Sequence, residues 1–128
     1  MKMPKVTPEA EEIFAALVAL DSRLEPRKMF GQPAAFVNGN MCLGGFGNDL
    51  FLLLNAADLA TASKIRGTRP FAPMPGRAMR SYLIMPRTIL KDKIKSRRWV
   101  TRSVEFTLTL PEKRRESPRR TGADRKRA

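Results

Sequence analysis

The chain contains no histidine. Imidazole acid–base catalysis, histidine-based triads and histidine metal sites are therefore excluded. It has one cysteine, Cys42, too few for an internal disulfide or for a cysteine-rich zinc or iron–sulfur site. A lone cysteine fits a reducing cytoplasm, where we place the protein. Long apolar runs are missing too. Leu50–Leu54 falls far short of the roughly 20 residues that a membrane span requires, so no membrane association is expected. The opening Met1-Lys2-Met3-Pro4-Lys5 leads to Glu9, Glu11 and Glu12 rather than to an apolar segment, and no secretory signal is read there. Gly44-Gly45-Phe46-Gly47 is glycine-rich, but an apolar run follows it where a phosphate-cradling loop would need a helix start. No cofactor and no metal are expected.

What the chain has in excess is positive charge. Twenty-five Lys and Arg stand against twelve Asp and Glu, a formal net charge of +13. Residues 113–128 carry eight of these cations against Glu116 and Asp124, or +6, which leaves seventeen against ten, or +7, for residues 1–112. The final segment has no apolar residue larger than alanine, so it cannot bury enough surface to offset its ordering entropy. The expectation is one domain over 1–112 followed by a disordered basic tail over 113–128.

The domain is organised around residues 28–55. Three apolar runs, Met29–Val37, Met41–Phe46 and Leu50–Leu54, are separated by Asn38-Gly39-Asn40 and Gly47-Asn48-Asp49, which supply the positive-φ positions of tight reversals. This predicts a three-stranded antiparallel meander. Pro33 cannot donate to a ladder and predicts an edge position, a break or a bulge. Gly44 and Gly45 predict a bend or a close approach, of backbone or of ligand. Leu50–Leu54 is apolar throughout, as expected of a central strand covered on both faces.

Helices flank the meander. Thr7 reads as an N-cap, Pro8 as the first helical residue, and Ile13, Phe14, Leu17, Val18, Leu20 and Leu24 as the apolar face of a helix ended by Pro26. Asn55 caps a second helix over about 55–66, with Asp58 placed to reach back to the cap and Gly67 as the stop. Two strands, 71–74 and 79–85, meet at the turn Pro75-Gly76. Thr88–Lys91 predicts a single helical turn, and Asp92 caps a last helix running to about Leu110. Its predicted buried stripe is Ile94, Val100, Val104 and Leu108, flanked by Trp99, Phe106 and Leu110. Lys93, Lys95, Arg97, Arg98 and Arg102 crowd its N-terminal half, against the helix dipole. That arrangement fits either a solvated face or a basic face held for a partner. The fold class is α+β with the order α-β(3)-α-β(2)-α.

These residues resemble the TfoX N-terminal domain family: Met29-Phe30-Gly31 opening the meander, the hairpin at Asn38–Asn40, Leu50-Phe51-Leu52, and Phe71-Ala72-Pro73-Met74-Pro75-Gly76-Arg77. Tyr82 and Pro86 in RSYLIMP and Trp99-Val100 also match, so the likeness spans about residues 10–111. Pro33 stands where a small residue is usual. The resemblance implies a fold like that of secretion-chaperone domains. In longer members the domain belongs to regulators of natural competence, thought to act with a transcription activator at promoters, and those proteins carry a second domain.

The likeness and the missing catalytic constellations point to a non-enzymatic regulatory or adaptor protein with a protein partner, a transcription regulator being one option. Methionines 29, 41, 74, 79 and 85 would serve either as core filling or as an adaptable contact surface. The alternative is association with nucleic acid through Lys113, Arg114, Arg115, Arg119, Arg120, Arg125, Lys126 and Arg127 of the tail, together with Arg97, Arg98 and Arg102. Ser117-Pro118-Arg119-Arg120 resembles the S-P-basic-basic elements of histone-type tails. An enzyme would have to be built from Tyr82, Asp58, Glu105 and Cys42, which no spacing assembles. A homodimer through the edge containing Pro33, or through the last helix, is a further option.

Overall fold

A computed structural model describes residues 5–29, 31–74 and 77–112. The Pro75-Gly76 turn, Phe30 and the basic segment 113–128 lie outside the described residues. Helix α1 (Pro8–Val18) precedes the strands β1 (Glu25–Met29), β2 (Gln32–Val37), β3 (Asn40–Phe46) and β4 (Asp49–Leu53). Helix α2 (Ala56–Ala62), the strands β5 (Arg69–Met74) and β6 (Arg77–Ile84), and the helices α3 (Arg87–Leu90) and α4 (Lys93–Leu108) complete the order. The six strands form one antiparallel sheet in the order β1-β2-β3-β4-β6-β5.

The meander has four strands, not three. The run read as one strand from Met29 is interrupted by a reversal in which Gly31 takes φ +79°, and β1 pairs back along β2 from Met29–Gln32 to Glu25–Phe36. Pro26, expected to end the first helix, sits instead in β1 opposite Ala35, and α1 ends earlier, with Ala19 as its C-cap. A short outer strand rich in Glu, Lys, Arg and Pro is how a sheet edge avoids further pairing. Pro33 therefore lies inside the sheet, paired with Lys28, and pairing of β2 with β3 begins one residue later at Ala34. The edge proposed for Pro33 is occupied by β1.

The β2–β3 turn has φ +57° at Asn38 and +79° at Gly39, the two positive values of a type I′ reversal. Beyond it, Ala35 pairs with Leu43 but Phe36 pairs with Met41. Cys42 is thus an extra residue in β3, a β-bulge. The bulge brings two consecutive side chains, Cys42 and Leu43, into the helix-side core with Ala35, Leu50, Leu52 and Leu54.

On that side α1 contributes Ile13, Phe14 and Leu17, and α4 contributes Trp99, Val100 and Val104. The opposite side of β4 holds Phe51, which joins Phe71 and Ile84 in a second cluster with Met41, Phe46 and Tyr82 packed on it. The double coverage expected of 50–54 is present. Between Pro70–Leu83 and Phe71–Met79 the β5–β6 register shifts, and Phe71 stacks on Phe51 with centroids 4.0 Å apart.

The buried stripe of α4 differs from expectation. Ile94 is 73% and Leu108 44% exposed, whereas Ser96, Trp99, Val100, Ser103, Val104 and Thr107 are buried. At 3.6 residues per turn these six share one face, and Ile94 lies opposite. The buried hydroxyls remain satisfied: Ser96 donates to the Lys93 carbonyl (3.4 Å), Ser103 to the Cys42 carbonyl (3.2 Å) and Thr107 to the Ser103 carbonyl (2.7 Å). Their small size lets the helix lie close on the bulge.

Gly44 shows the tightness of the other face. A Cβ there would stand 2.7 Å from Phe51 Cζ, and the ring is pinned by Phe71 and Tyr82. Gly44→Ala is expected to cost about 1–3 kcal/mol by overpacking, read as a lowered urea midpoint at unchanged slope. An unchanged midpoint would contradict this packing.

Candidate functional site

The groups that could do acid–base or nucleophilic chemistry are dispersed. Cys42 is fully buried beneath α4, its Sγ 3.0 Å from Ser103 Oγ. Burial pushes its thiol pKa up, against hydrogen bonds from Ser103 and Thr107. Tyr82, on the other side of the sheet, donates its hydroxyl to the Met41 carbonyl (2.8 Å), and burial pushes it up to about 12. Asp58, expected to reach back to the α2 cap, instead accepts from Arg102 Nη1 at 2.9 Å. The cap is made by Asn55 alone, whose Oδ1 accepts from the Asp58 amide (2.7 Å). Glu105 is exposed on α4. Among the described residues no group of three or more His, Cys, Asp or Glu could hold a metal ion, and no helix is long and apolar enough to cross a membrane.

The surface is more informative. Asp92 caps α4 by accepting from the amides of Ile94 (3.0 Å) and Lys95 (2.9 Å). No acidic residue follows in the first turn. Lys93, Lys95, Arg97 and Arg98 are all exposed. The ion pairs among the described residues are made by other cations: Arg23, Arg27, Arg69, Arg87, Lys91 and Arg102. Of the three α4 residues singled out for nucleic acid, Arg97 and Arg98 thus point to solvent, while Arg102 is engaged by Asp58. The eight tail cations lie outside the described residues.

Beside these cations runs a groove of about 620 Å³ between α1 and the start of α4. Its apolar surface comes from Ile13, Ala16 and Leu17 of α1, from Ala19 and Leu20 just past its end, and from Leu90 of α3. Glu12 borders the α1 side, and Lys91, Lys93 and Arg97 border the other. The sequence signal for this groove was indirect: it lies between two helices whose partnership only the fold reveals.

A polar clasp holds its two walls together. Asn48, in the β3–β4 turn, accepts from Thr7 Oγ1 (2.8 Å) and from Arg87 Nη2 (2.9 Å at Oδ1, 2.6 Å at its carbonyl). Glu9 of α1 lies 3.3 Å from Lys91 and 3.6 Å from Arg87. The Lys91 hydrogen bond, then the Arg87 charge, hold the Glu9 carboxyl below its usual range. Its contribution to stability is therefore present at neutral pH and is lost as pH falls through that lowered value.

The described residues form a small α+β domain with an apolar groove and a basic flank, in which Cys42 is sealed and Tyr82 and Asp58 are hydrogen-bonded. The family profile of the TfoX N-terminal domain matches residues 12–107, so the chain belongs to the TfoX N-terminal domain family. No curated protein and no solved structure matches it.

Two measurements check the buried groups. Cys42 is the chain's one cysteine, so a thiol reagent at mildly alkaline pH should label the denatured chain stoichiometrically and the folded chain only at the rate of unfolding. Rapid labelling of the folded protein would contradict the sealed position. Tyr82 is the one tyrosine, so tyrosinate absorbance reports it alone. Its folded pKa is raised, and the corresponding stability is complete below the ordinary value of 10 and lost as pH rises toward 12. Tyr82→Phe should cost about 1 kcal/mol at neutral pH and flatten that alkaline loss.

Proposed function

We propose that the protein is a small non-enzymatic regulator or adaptor of the TfoX type that works by docking its folded domain on another protein. The observation that carries this reading is the membership of residues 12–107 in the TfoX N-terminal domain family. The surface supports it. The groove combines apolar floor and charged rim, the composition of a contact patch, while Cys42, Tyr82 and Asp58 are each committed to structural hydrogen bonds. A transcription regulator is the partner class the family suggests.

Association with nucleic acid is a second reading, favoured by one observation. Lys93, Lys95, Arg97 and Arg98 are exposed in succession on one helix and have no acidic partner among the described residues. Phosphate contacts from such cations would be sequence-tolerant and strongly salt-dependent.

Two assays separate the readings. Full-length protein used as bait in its native cell should recover a protein partner after nuclease treatment, and recovery of nothing above background would sink the adaptor reading. For nucleic acid, log K for duplex DNA should fall with log salt at a slope of up to about −7 if all eight tail cations engage phosphates. The double substitution Arg97→Ala/Arg98→Ala should make the slope shallower by about 2 if the helix contributes. Full affinity in a chain ending at Glu112 would remove the tail from that account.

A further inference from the structure

We infer that the groove between α1 and α4 is a docking site for an amphipathic helix of a partner protein, with acidic residues on the flank that meets α4. The inference rests on the adaptor reading and specifies the partner's chemistry. Three features of the groove lead to it.

The first is length. The wall on the α1 side runs from Glu12 through the end of the helix and its C-terminal turn to Leu20, about 12 Å, or two helical turns. A helix laid in a groove presents anchors at i, i+3 or i+4, and i+7, and so fills about that span. The second is the shape of the wall. Ala16 and Ala19 line it and are exposed, so between Glu12 and Leu20 that flank carries only methyl side chains where an incoming backbone would pass. The buried Ile13, Leu17 and Leu90 form an apolar floor.

The third is charge. Lys93 and Arg97 stand on the α4 rim without an acidic partner among the described residues. The positive end of the α4 dipole adds to them. Lys91 on the same rim is already held by Glu9 at 3.3 Å. Glu12, on the opposite rim, sets the polarity: an acidic flank is favoured along α4 and disfavoured along α1. The basic segment 113–128 has the same sign as the α4 rim and is a poor occupant.

The test uses the full chain and two synthetic peptides of roughly 15 residues, each with leucines at i, i+3, i+4 and i+7. One carries glutamates on one flank, and its twin carries lysines there. By fluorescence anisotropy the acidic peptide should saturate with a Kd below about 100 µM, and the lysine twin should bind at least about tenfold more weakly. Ala16→Arg blocks the groove at an exposed helical position that tolerates arginine. It should weaken the acidic peptide at least about tenfold while leaving the circular dichroism and melting temperature unchanged. Lys93→Glu/Arg97→Glu should reverse the preference between the twins.

Equal binding of the twins, undiminished binding by Ala16→Arg, or no saturation of the acidic peptide by about 1 mM would overturn the proposal. So would sedimentation showing a wild-type dimer that Ala16→Arg dissociates, which would assign the groove to a second copy. A pull-down separates this from the adaptor reading. Partners recovered equally by wild type and Ala16→Arg keep the adaptor and eliminate the groove, whereas an empty wild-type pull-down ends both.

Discussion

The last helix lies flat on the sheet because β3 carries one residue more than β2 at Cys42, and because the α4 side chains that meet this bulge are short. An ordinary strand would alternate, sending one of Cys42 and Leu43 to each face. The bulge sends both toward α4, where Ser103 bonds to Cys42 through sulfur and carbonyl. Larger residues at 103 and 107 would lift the helix off Leu43, Leu50 and Leu52, whose burial provides much of the helix-side hydrophobic stabilisation. The position of α4 in turn sets the groove with α1 and the direction of the basic flank. The surface that could meet a partner is thus fixed from beneath by a polar seam.

The seam also explains the distribution of charge on α4. Serines and threonine occupy the buried stripe, so the apolar residues of the helix are divided between core and surface. Ile94 and Leu108 are left outside, Ile94 among cations that have no inward role. Among the described residues Arg102 alone of the α4 cations is ion-paired, and its partner Asp58 is the one carboxylate on α2 and is buried. Loss of that guanidinium would leave a largely buried acid unpaired, a larger cost than an exposed ion pair is worth.

Much of this was legible in the residues. Alternation and turn chemistry located β3, β4 and their hairpins, since Asn38-Gly39 and Gly47 admit few conformations other than reversal. Capping chemistry located α1, α2 and α4, because Thr7, Asn55 and Asp92 each sit one residue before a helical period. The uniform apolarity of 50–54 announced a strand with two covered faces. What escaped was information held by pairs distant in sequence. β1 is charged and contains Pro26, so its strand character comes from pairing with β2 and not from its own pattern. The α4 stripe escaped for a related reason: hydrophobicity selected Ile94 and Leu108, while the fold selected small hydroxyl residues that fit a bulge. The likeness to the TfoX N-terminal domain was carried by turns and core apolars, which is why it spoke to fold sooner than to chemistry.

The hairpin residues Asn38 and Asn40 do more than reverse the chain. Their side-chain amides donate to the carbonyls of Leu110 (3.3 Å) and Pro111 (3.0 Å), so the end of the domain is moored to the tip of the β2–β3 hairpin. Lys93 and Arg97 sit at the other end of a 16-residue helix, about 24 Å in length. Anything bound by the residues after 112 is therefore rooted a full helix length from the groove.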